Sequence, residues 1–342
     1  MPEPLTAVLV GCGGISRTWL RTLVTLDDVR LVALVDLDRD VAEARAEEFA
    51  LEDVEIRTDL VGTLDEHRPD IVFDCTVPPA HHGVTLSALE RGCHVLGEKP
   101  LAESLDHARE MVGAAEASGR LYAVMQNRRY DPNIRRLRAF MASGTLGRIT
   151  TVNCDFYIGA HFGGFRDHMP HVLLVDMAIH TFDAARFLMG ADPKAVYCHE
   201  WNPPGSWYDR DASAVAVFEM SEDIVYTYRG SWCAEGLNTT WESHWHVIGE
   251  RGSVTWDGAD GYRAQVVAEG GGFFSDWEDV DVPPFAEPGK AGGHDGAIRE
   301  FVASVRTGQI PETICTDNIK SLAMVFGAVE SAETGRRVKV DA

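Results

Sequence analysis

Short apolar runs alternate with amphipathic stretches along the first part of the chain. The apolar runs have the length of strands and fall at 7–10, 31–35, 54–56, 71–75, 94–97 and 121–125. Between them apolar residues recur at helical spacing, as from about His81 to Arg91 and in the stretch that Ser104 opens as a predicted N-cap. Strands alternating this regularly with helices predict a right-handed, doubly wound parallel sheet.

The pattern changes at a long predicted strand over 149–157, which is followed by a predicted helix over about 172–189. Further strand-like runs fall at 195–199, 212–219, 224–232, 240–249, 253–256 and 264–267. The last two predicted helices cover about 294–307 and 318–334. Strands that follow one another in this way favour a second sheet that is open and predominantly antiparallel.

Alternation with a period of two predicts which strand residues share a face of this second sheet. It places Tyr226, Tyr228 and Trp232 together, and it groups Trp241, Trp245 and Val247 on the next strand. Because an aromatic face needs a cover, we expect a helix on one face and another subunit on the other.

We therefore predict an α/β protein with two domains. Residues 1–127 form a dinucleotide-binding domain around the doubly wound parallel sheet, and residues 128–342 form an α/β domain for substrate binding and oligomerisation. The C-terminal helices are expected to pack partly back onto the first domain.

Composition narrows the class of protein. A formal net charge of −22 over 342 residues argues against nucleic acid and anionic membranes as partners. The seven cysteines are scattered singly, which is typical of reduced thiols in a cytoplasmic protein. The sequence shows neither a signal peptide nor an apolar stretch long enough to span a membrane, so we expect a cytoplasmic protein.

A glycine turn follows the first strand and opens a helix, which is the context of a dinucleotide-binding fingerprint. We place a pyrophosphate against the residues Gly11, Gly13, Gly14 and Ile15 of this turn. The third position of the fingerprint is Ser16, which is small enough for close packing of helix and strand.

Asp36 ends the second strand, where a carboxylate can bind the ribose hydroxyls and repel a 2′-phosphate. This position favours NAD over NADP, although Arg39 keeps NADP possible because an arginine could hold that phosphate. The alternative interpretation of Asp36 is an N-cap for a helix beginning near Asp40.

Two groups of residues suggest the chemistry of alcohol oxidation. Lys99 follows the fifth strand at the edge where ligands bind, and Asp176 and His180 lie four residues apart on a predicted helix. We assign His180 as the base, Lys99 as a cation that holds the reacting oxygen, and Asp176 as the group that orients the histidine or a substrate hydroxyl. Each could instead be an ordinary surface residue.

Residues near this helix are candidates for contacts with the substrate, namely Tyr157, Arg166 and His168. The histidines at 161, 168, 171 and 180 together with Asp176 also raise the possibility of a metal site. Their spacing is not that of a zinc motif, and we predict no metal.

The chain resembles the Gfo/Idh/MocA family of nicotinamide-dependent oxidoreductases over nearly its whole length. The motifs that carry the resemblance are at 11–16, 76–81, 98–100, 128–132, 176–180 and 317–322. The combination of Glu98-Lys99-Pro100 with Asp176 and His180 is the most specific of them. The chain departs from the usual glycine-rich run before Asp176, where it has residues 171–175 instead.

This resemblance implies an N-terminal Rossmann domain, a C-terminal domain with a predominantly antiparallel sheet, and homodimers or homotetramers packed through that sheet. It implies Lys99, Asp176 and His180 as the catalytic set, a cis bond between Lys99 and Pro100, and Arg129 as a further substrate contact. The residues that would line the cofactor are Thr76, Pro78, His81, Glu98, Lys99 and Gln126.

The function favoured by these observations is an NAD-dependent dehydrogenase of a sugar or cyclitol, with an aldose slightly preferred. One alternative is an enzyme that uses NAD transiently, as in glycoside cleavage or epimerisation, without net redox turnover. Another is a regulatory protein that binds NAD without catalysis.

Overall fold

The computed structural model describes residues 3–269 and 272–342. The chain divides into two compact units. The first unit extends to Tyr130 and is completed by Gly289–Ile319, whereas the second consists of Asp131–Pro288 and Lys320–Ala342.

The strands of the first unit are β1 Leu5–Val10, β2 Val29–Val35, β3 Glu55–Arg57, β4 Ile71–Asp74, β5 His94–Gly97 and β6 Tyr122–Val124. Those of the second unit are β7 Ile149–Tyr157, β8 Pro193–Trp201, β9 Ser213–Met220, β10 Val225–Ser231, β11 His244–Gly249, β12 Gly252–Trp256, β13 Tyr262–Glu269, β14 Asp276–Val280 and β15 Val338–Lys339.

The α-helices are α1 Ser16–Leu23, α2 Arg39–Glu48, α3 Leu60–His67, α4 Pro78–Glu90, α5 Leu105–Ser118, α6 Pro132–Ala142, α7 Ile179–Met189, α8 His294–Thr307 and α9 Cys315–Thr334. A π-helical segment, Leu173–Ala178, leads directly into α7. Short 3-10 turns occupy Asn127–Tyr130, Gly164–His168, Ser221–Asp223 and Pro288–Lys290. No helix in the described ranges is both long and apolar enough to cross a membrane.

The first unit is built on a six-stranded sheet in the order β3-β2-β1-β4-β5-β6, and all its pairs are parallel. Its strands are apolar because helices cover both faces. One layer of the core joins Trp19 and Leu20 of α1 to Ile298 and Phe301 of α8, so the late helix α8 belongs to the core of this unit. The doubly wound parallel sheet predicted from the sequence is confirmed.

The second unit is built on a nine-stranded sheet in the order β14-β13-β12-β11-β7-β10-β9-β8-β15. All neighbouring strands run antiparallel except β10 and β7. On its covered face, Phe182 of α7 packs edge-on against Phe218, Tyr226 and Tyr228. The prediction of an open, mostly antiparallel sheet is therefore confirmed, and so is the shared face of Tyr226 and Tyr228.

Some element boundaries differ from the prediction. Trp241 lies in a turn before β11 and its side chain is half exposed, so it does not share a strand face with the buried Trp245 and Val247. The strands β14 and β15 were not predicted. The helix α4 begins at Pro78 rather than near His81, since proline is well suited to a first helical turn.

Candidate functional site

The glycine turn after β1 lies against the end of β4. Gly11 has a φ of +85°, and a Cβ there would be 2.7 Å from the carbonyl carbon of Cys75, so only glycine fits. A Cβ on Gly13 or Gly14 would meet no atom within 4 Å. The turn is thus tight on its protein side and open where a ligand would approach.

Both backbone polar groups of Cys12, in this turn, are hydrogen-bonded to side chains. Its N–H donates to Asp36 Oδ2 at 2.7 Å, and its carbonyl accepts from Arg45 Nε at 3.2 Å and Nη2 at 3.0 Å. Arg45 Nη2 also donates to the Gly13 carbonyl at 3.1 Å, and the Arg45 side chain is buried. Arg45 of α2 therefore holds two carbonyls of the turn in place from the protein interior.

Asp36 is not a helix cap, so that alternative interpretation is wrong. The N-cap of α2 is Asp38, whose side chain accepts from the Asp40 N–H. Asp36 Oδ1 instead accepts from the Asp38 N–H at 3.0 Å. The carboxylate at the end of β2 thereby links the glycine turn to the chain that enters α2.

The Arg39 side chain forms contacts close to its own helix. Its guanidinium pairs with Glu43 at 3.1 Å and donates to the Ile56 carbonyl at 3.2 Å. Both side chains of the pair are more than half exposed, so the ion pair itself is weak.

The segment after β4 is anchored by a buried carboxylate and a buried imidazole. Asp74 Oδ1 accepts from the Thr76 N–H at 3.0 Å and from the Thr76 hydroxyl at 2.5 Å. The His81 ring lies between two carbonyls, 3.0 Å from that of Thr76 and 2.9 Å from that of Pro100. Burial raises the pKa of Asp74. These contacts tie the start of α4, where Pro78 lies, to the segment after β5.

Glu98 organises the end of β5. Its Oε1 accepts from the indole N–H of Trp19 at 2.7 Å, and its Oε2 accepts from the Lys99 backbone N–H at 3.1 Å. The bond between Lys99 and Pro100 is cis, in keeping with what the resemblance implies. His294, at the start of α8, lies 3.9 Å from Glu98, and burial together with the charge of Lys99 lowers its pKa.

Gln126 and Arg129 follow β6 and differ in their surroundings. Gln126 is almost fully buried, and neither atom of its amide has a hydrogen-bond partner among the described residues. Arg129 is also buried, but it donates to the Glu312 carbonyl at 2.7 Å and pairs with Asp317 at 2.7 Å. Gln126 is therefore a candidate for binding a polar ligand group, whereas Arg129 is held by its own unit.

In the second unit, Asp176 lies on the π-helical segment and His180 on the first turn of α7. Such segments of widened helix occur frequently at functional sites. Arg166 donates two hydrogen bonds to the Asp176 carboxylate, from Nε at 2.8 Å and from Nη2 at 3.4 Å. The Arg166 guanidinium lies over the rings of Phe162 and Phe165, at 5.0 and 4.8 Å from their centroids.

The other histidines considered for a metal site contact different carboxylates. His161 contacts Glu235 at 3.1 Å, the exposed His168 contacts Asp209 at 2.5 Å, and His171 contacts Glu200 at 2.5 Å. Within the described residues, the one cluster with metal-like spacing is Glu55, Glu66 and His67, and Arg57 already pairs with both glutamates. Tyr157, another predicted substrate contact, is half-buried at the end of β7, and its burial raises its pKa.

Two sequence models of one family match the chain. The NAD-binding Rossmann fold of the oxidoreductase family matches residues 5–126, and the C-terminal domain of the same family matches residues 134–255. The chain belongs to the Gfo/Idh/MocA family. Its Rossmann domain binds NAD, and the family consists of oxidoreductases.

Relatives in this family span nearly the whole chain. A D-apiose dehydrogenase from Paraburkholderia graminis is 26% identical over 97% of this chain and 88% of its own. An inositol 2-dehydrogenase from Streptomyces avermitilis is 27% identical over 100% of this chain and 96% of its own. A crystal structure of an oxidoreductase from Agrobacterium radiobacter, in complex with NAD+, L-tartaric acid and magnesium, has a TM-score of 0.86 at 21% identity and covers 99% of each chain.

Sequence reasoning missed several residues that shape these sites. Arg45 gives no signal, because a charged residue on an amphipathic helix is normally solvated. Trp19 lies on α1, and its N–H contact with Glu98 joins residues 79 positions apart, which no local pattern records. His294 belongs to α8, which is distant in sequence from β5. The positive φ of His171 could have been suspected only from the missing glycines before Asp176.

Proposed function

We propose that this protein is an NAD-dependent dehydrogenase that oxidises a hydroxyl of a sugar or cyclitol. The observation that carries the proposal is the glycine turn, which leaves open space at Gly13 and Gly14 beside the carboxylate of Asp36. The D-apiose dehydrogenase and the inositol 2-dehydrogenase, which match the chain over nearly their whole lengths, support a polyhydroxylated substrate.

The residues of the first unit fit NAD. The open glycine turn suits a pyrophosphate, and Asp36 suits ribose hydroxyls. The buried amide of Gln126, which lacks a hydrogen-bond partner in the described ranges, suits a polar cofactor group such as the carboxamide of nicotinamide. When bound, NAD supplies the carbon that accepts a hydride.

The proposed chemistry divides the work between three side chains. His180 takes the proton of the substrate hydroxyl. The carbon that bears this hydroxyl loses a hydride and becomes a carbonyl carbon. Lys99 remains cationic and stabilises the oxygen as negative charge develops on it. Asp176, which Arg166 holds in place, orients the imidazole or a neighbouring substrate hydroxyl.

A substrate screen tests this function. NADH formation is followed with aldoses, inositols and sugar acids, each with NAD and with NADP. We expect turnover with at least one aldose or inositol. Replacement of Lys99 by alanine should then lower kcat by about a hundredfold or more while the Kd for NAD stays nearly unchanged. Full activity of Lys99→Ala would show that the lysine is not catalytic.

We further propose a preference for NAD over NADP. Asp36 would repel a 2′-phosphate, and Arg39 is already engaged by Glu43 and the Ile56 carbonyl. The variant Asp36→Ala should reduce the ratio of kcat/KM for NAD to that for NADP by about tenfold or more. Asp38→Ala, which removes the cap of α2 instead, serves as the control and should leave the ratio near that of the wild type. An unchanged ratio in Asp36→Ala would rule out Asp36 as the discriminating residue.

We also propose that the protein forms a homodimer or homotetramer through its second sheet. The face opposite α7 exposes apolar side chains in neighbouring strands, among them Tyr197 and Trp201 of β8, Val217 of β9 and Val225 of β10. The same face carries charged side chains in pairs, such as Arg229 with Asp155, and a face with this mixture suits burial against a second copy.

A further inference from the structure

The chain makes an unusual turn just before the helix that carries Asp176 and His180. His171 has a φ of +52°, a conformation that favours glycine and costs energy for other residues. Helical structure begins at the next residue, Val172, and the His171 carbonyl accepts from the Val175 N–H at 2.9 Å. The strained residue is therefore the one that precedes the helix and whose carbonyl accepts its first hydrogen bond.

The side chain of His171 is held to the sheet by a hydrogen bond to a carboxyl group. Its Nδ1 lies 2.5 Å from Glu200 Oε2 on β8, and the Glu200 side chain is only 2% exposed. A carboxylate buried so completely needs a compensating partner. The other oxygen of Glu200 has no hydrogen-bond partner in the parts of the chain that the structure describes, so the imidazole is the group that compensates the buried charge.

The surrounding charges favour a protonated imidazole. The hydrogen bond to Glu200 raises the pKa of His171, which favours its protonated form. Burial raises the pKa of Glu200, and the contact with His171 opposes that effect. Glu333 of α9 approaches His171 Nε2 to 3.4 Å from a largely exposed position, and Asp211 is the further acid that faces Glu200. Both of these further neighbours of the pair are acids.

We propose that the His171–Glu200 pair positions Asp176 and His180 by holding the left-handed turn at which their helix begins. The buried carboxylate restrains the imidazole, and the imidazole keeps its own backbone in a conformation that it would otherwise leave. A start of the helix fixed in this way sets the rotation of the π-helical segment 173–178 and of the first turn of α7. Both residues act through others and are positioning residues.

The first test compares two matched substitutions, Glu200→Gln and Glu333→Gln. Each keeps the size of the side chain and removes one acid that contacts His171, but only Glu200 is buried. Hydrogen exchange of peptides covering 172–180 should lose protection at least about tenfold in Glu200→Gln and stay at the wild-type level in Glu333→Gln. Equal protection in wild type and Glu200→Gln would overturn the proposal.

Activity gives a second readout, which rests on the proposed function. Because NAD is assigned to the first unit, Glu200→Gln should lower kcat by about tenfold or more with little change in the KM for NAD. If the wild type oxidises no sugar or cyclitol, the proposed function fails while the exchange experiment still decides the inference. A Glu200→Gln enzyme that loses protection yet keeps full kcat would show that the turn does not position the reacting groups.

Chemical rescue separates the imidazole from the backbone. Glycine adopts the required φ without strain but adopts many other backbone conformations as well, so His171→Gly permits the turn without fixing it and leaves Glu200 without its partner. We expect low kcat and low protection in this variant, and partial recovery of both on addition of imidazole. Recovery should be absent in the double variant His171→Gly with Glu200→Gln. A His171→Gly protein with wild-type kcat and protection would contradict the proposal, since the turn would then need no ion pair.

Discussion

At the scale of single residues, Asp74 is a carboxyl group buried in the first unit. It is fully buried at the end of β4, and its Oδ2 has no hydrogen-bond partner within the described residues. Burial raises its pKa, so the folded state binds this proton more tightly than the unfolded state does. Ionisation of Asp74 therefore opposes folding, and its cost appears as the pH rises from about 4 through the folded-state pKa.

Removing this ionisation should stabilise the protein at neutral pH. Asp74→Asn keeps an acceptor for Thr76, and we expect its free energy of unfolding to exceed that of the wild type by about 1–3 kcal/mol. The gain should shrink in acid, where wild-type Asp74 is already neutral. Denaturant unfolding across a pH series measures this, with the exposed Asp53→Asn as control. A gain that is independent of pH would show that ionisation is not the cause.

At the scale of elements, the turn between β1 and α1 is supported by α2, a helix that follows later in the chain. Arg45 of α2 binds the carbonyls of Cys12 and Gly13 from the protein interior. These contacts fix the backbone of the turn on its protein side, and the other side is open at Gly13 and Gly14. The same guanidinium also pairs with Glu48, so its contribution to the turn is the fixed position of the two carbonyls and not a free positive charge.

Loss of this support should weaken cofactor binding. In Arg45→Met we expect the Kd for NAD to rise by about tenfold, the equivalent of 1.4 kcal/mol, with a small effect on kcat. Arg45→Lys keeps the charge but not the planar fork of donors, so it should recover only part of the affinity. Calorimetric titration with NAD measures both, and Arg39→Met on the same helix is the control. Wild-type affinity in Arg45→Met would mean that the turn keeps its shape unaided.

Elements were predictable where the sequence shows a continuous apolar run or a regular alternation. All four residues of the parallel strand β4 are buried, whereas buried and less buried positions alternate along most of β10. The strand β14 shows neither pattern, because four of its five residues are exposed, and β15 has only two residues. The π-helical segment was predicted as ordinary helix, since both helix types place Asp176 and His180 near one another.

At the scale of the whole molecule, the proposed oligomer would form through the exposed face of the second sheet. Tyr197, Val217 and Thr227 lie side by side on this face, in register across β8, β9 and β10. A stable interface between two copies buries on the order of 800 Å² from each, which a face of several strands can supply. A charge placed at its centre would be costly to bury.

A single substitution should therefore disrupt the oligomer. Val217→Glu places a carboxylate on the face, and we expect the dissociation constant of the oligomer to rise at least about tenfold. Val61→Glu on α3 is the matched control, since its valine is 42% exposed against 39% for Val217. Light scattering over a dilution series measures the mass. An unchanged mass in Val217→Glu would place the subunit contact elsewhere.

The hydrogen bond between Trp19 and Glu98 makes Trp19 a spectroscopic reporter of the end of β5, where Lys99 lies. Seven of the eight tryptophans lie beyond residue 200, so Trp19 is the single indole in the first unit. The carboxylate that accepts its N–H also accepts the backbone N–H of Lys99. In protein labelled with 5-fluorotryptophan, the fluorine resonance of Trp19 will therefore register any rearrangement that reaches Glu98, including one that leaves every other signal in place.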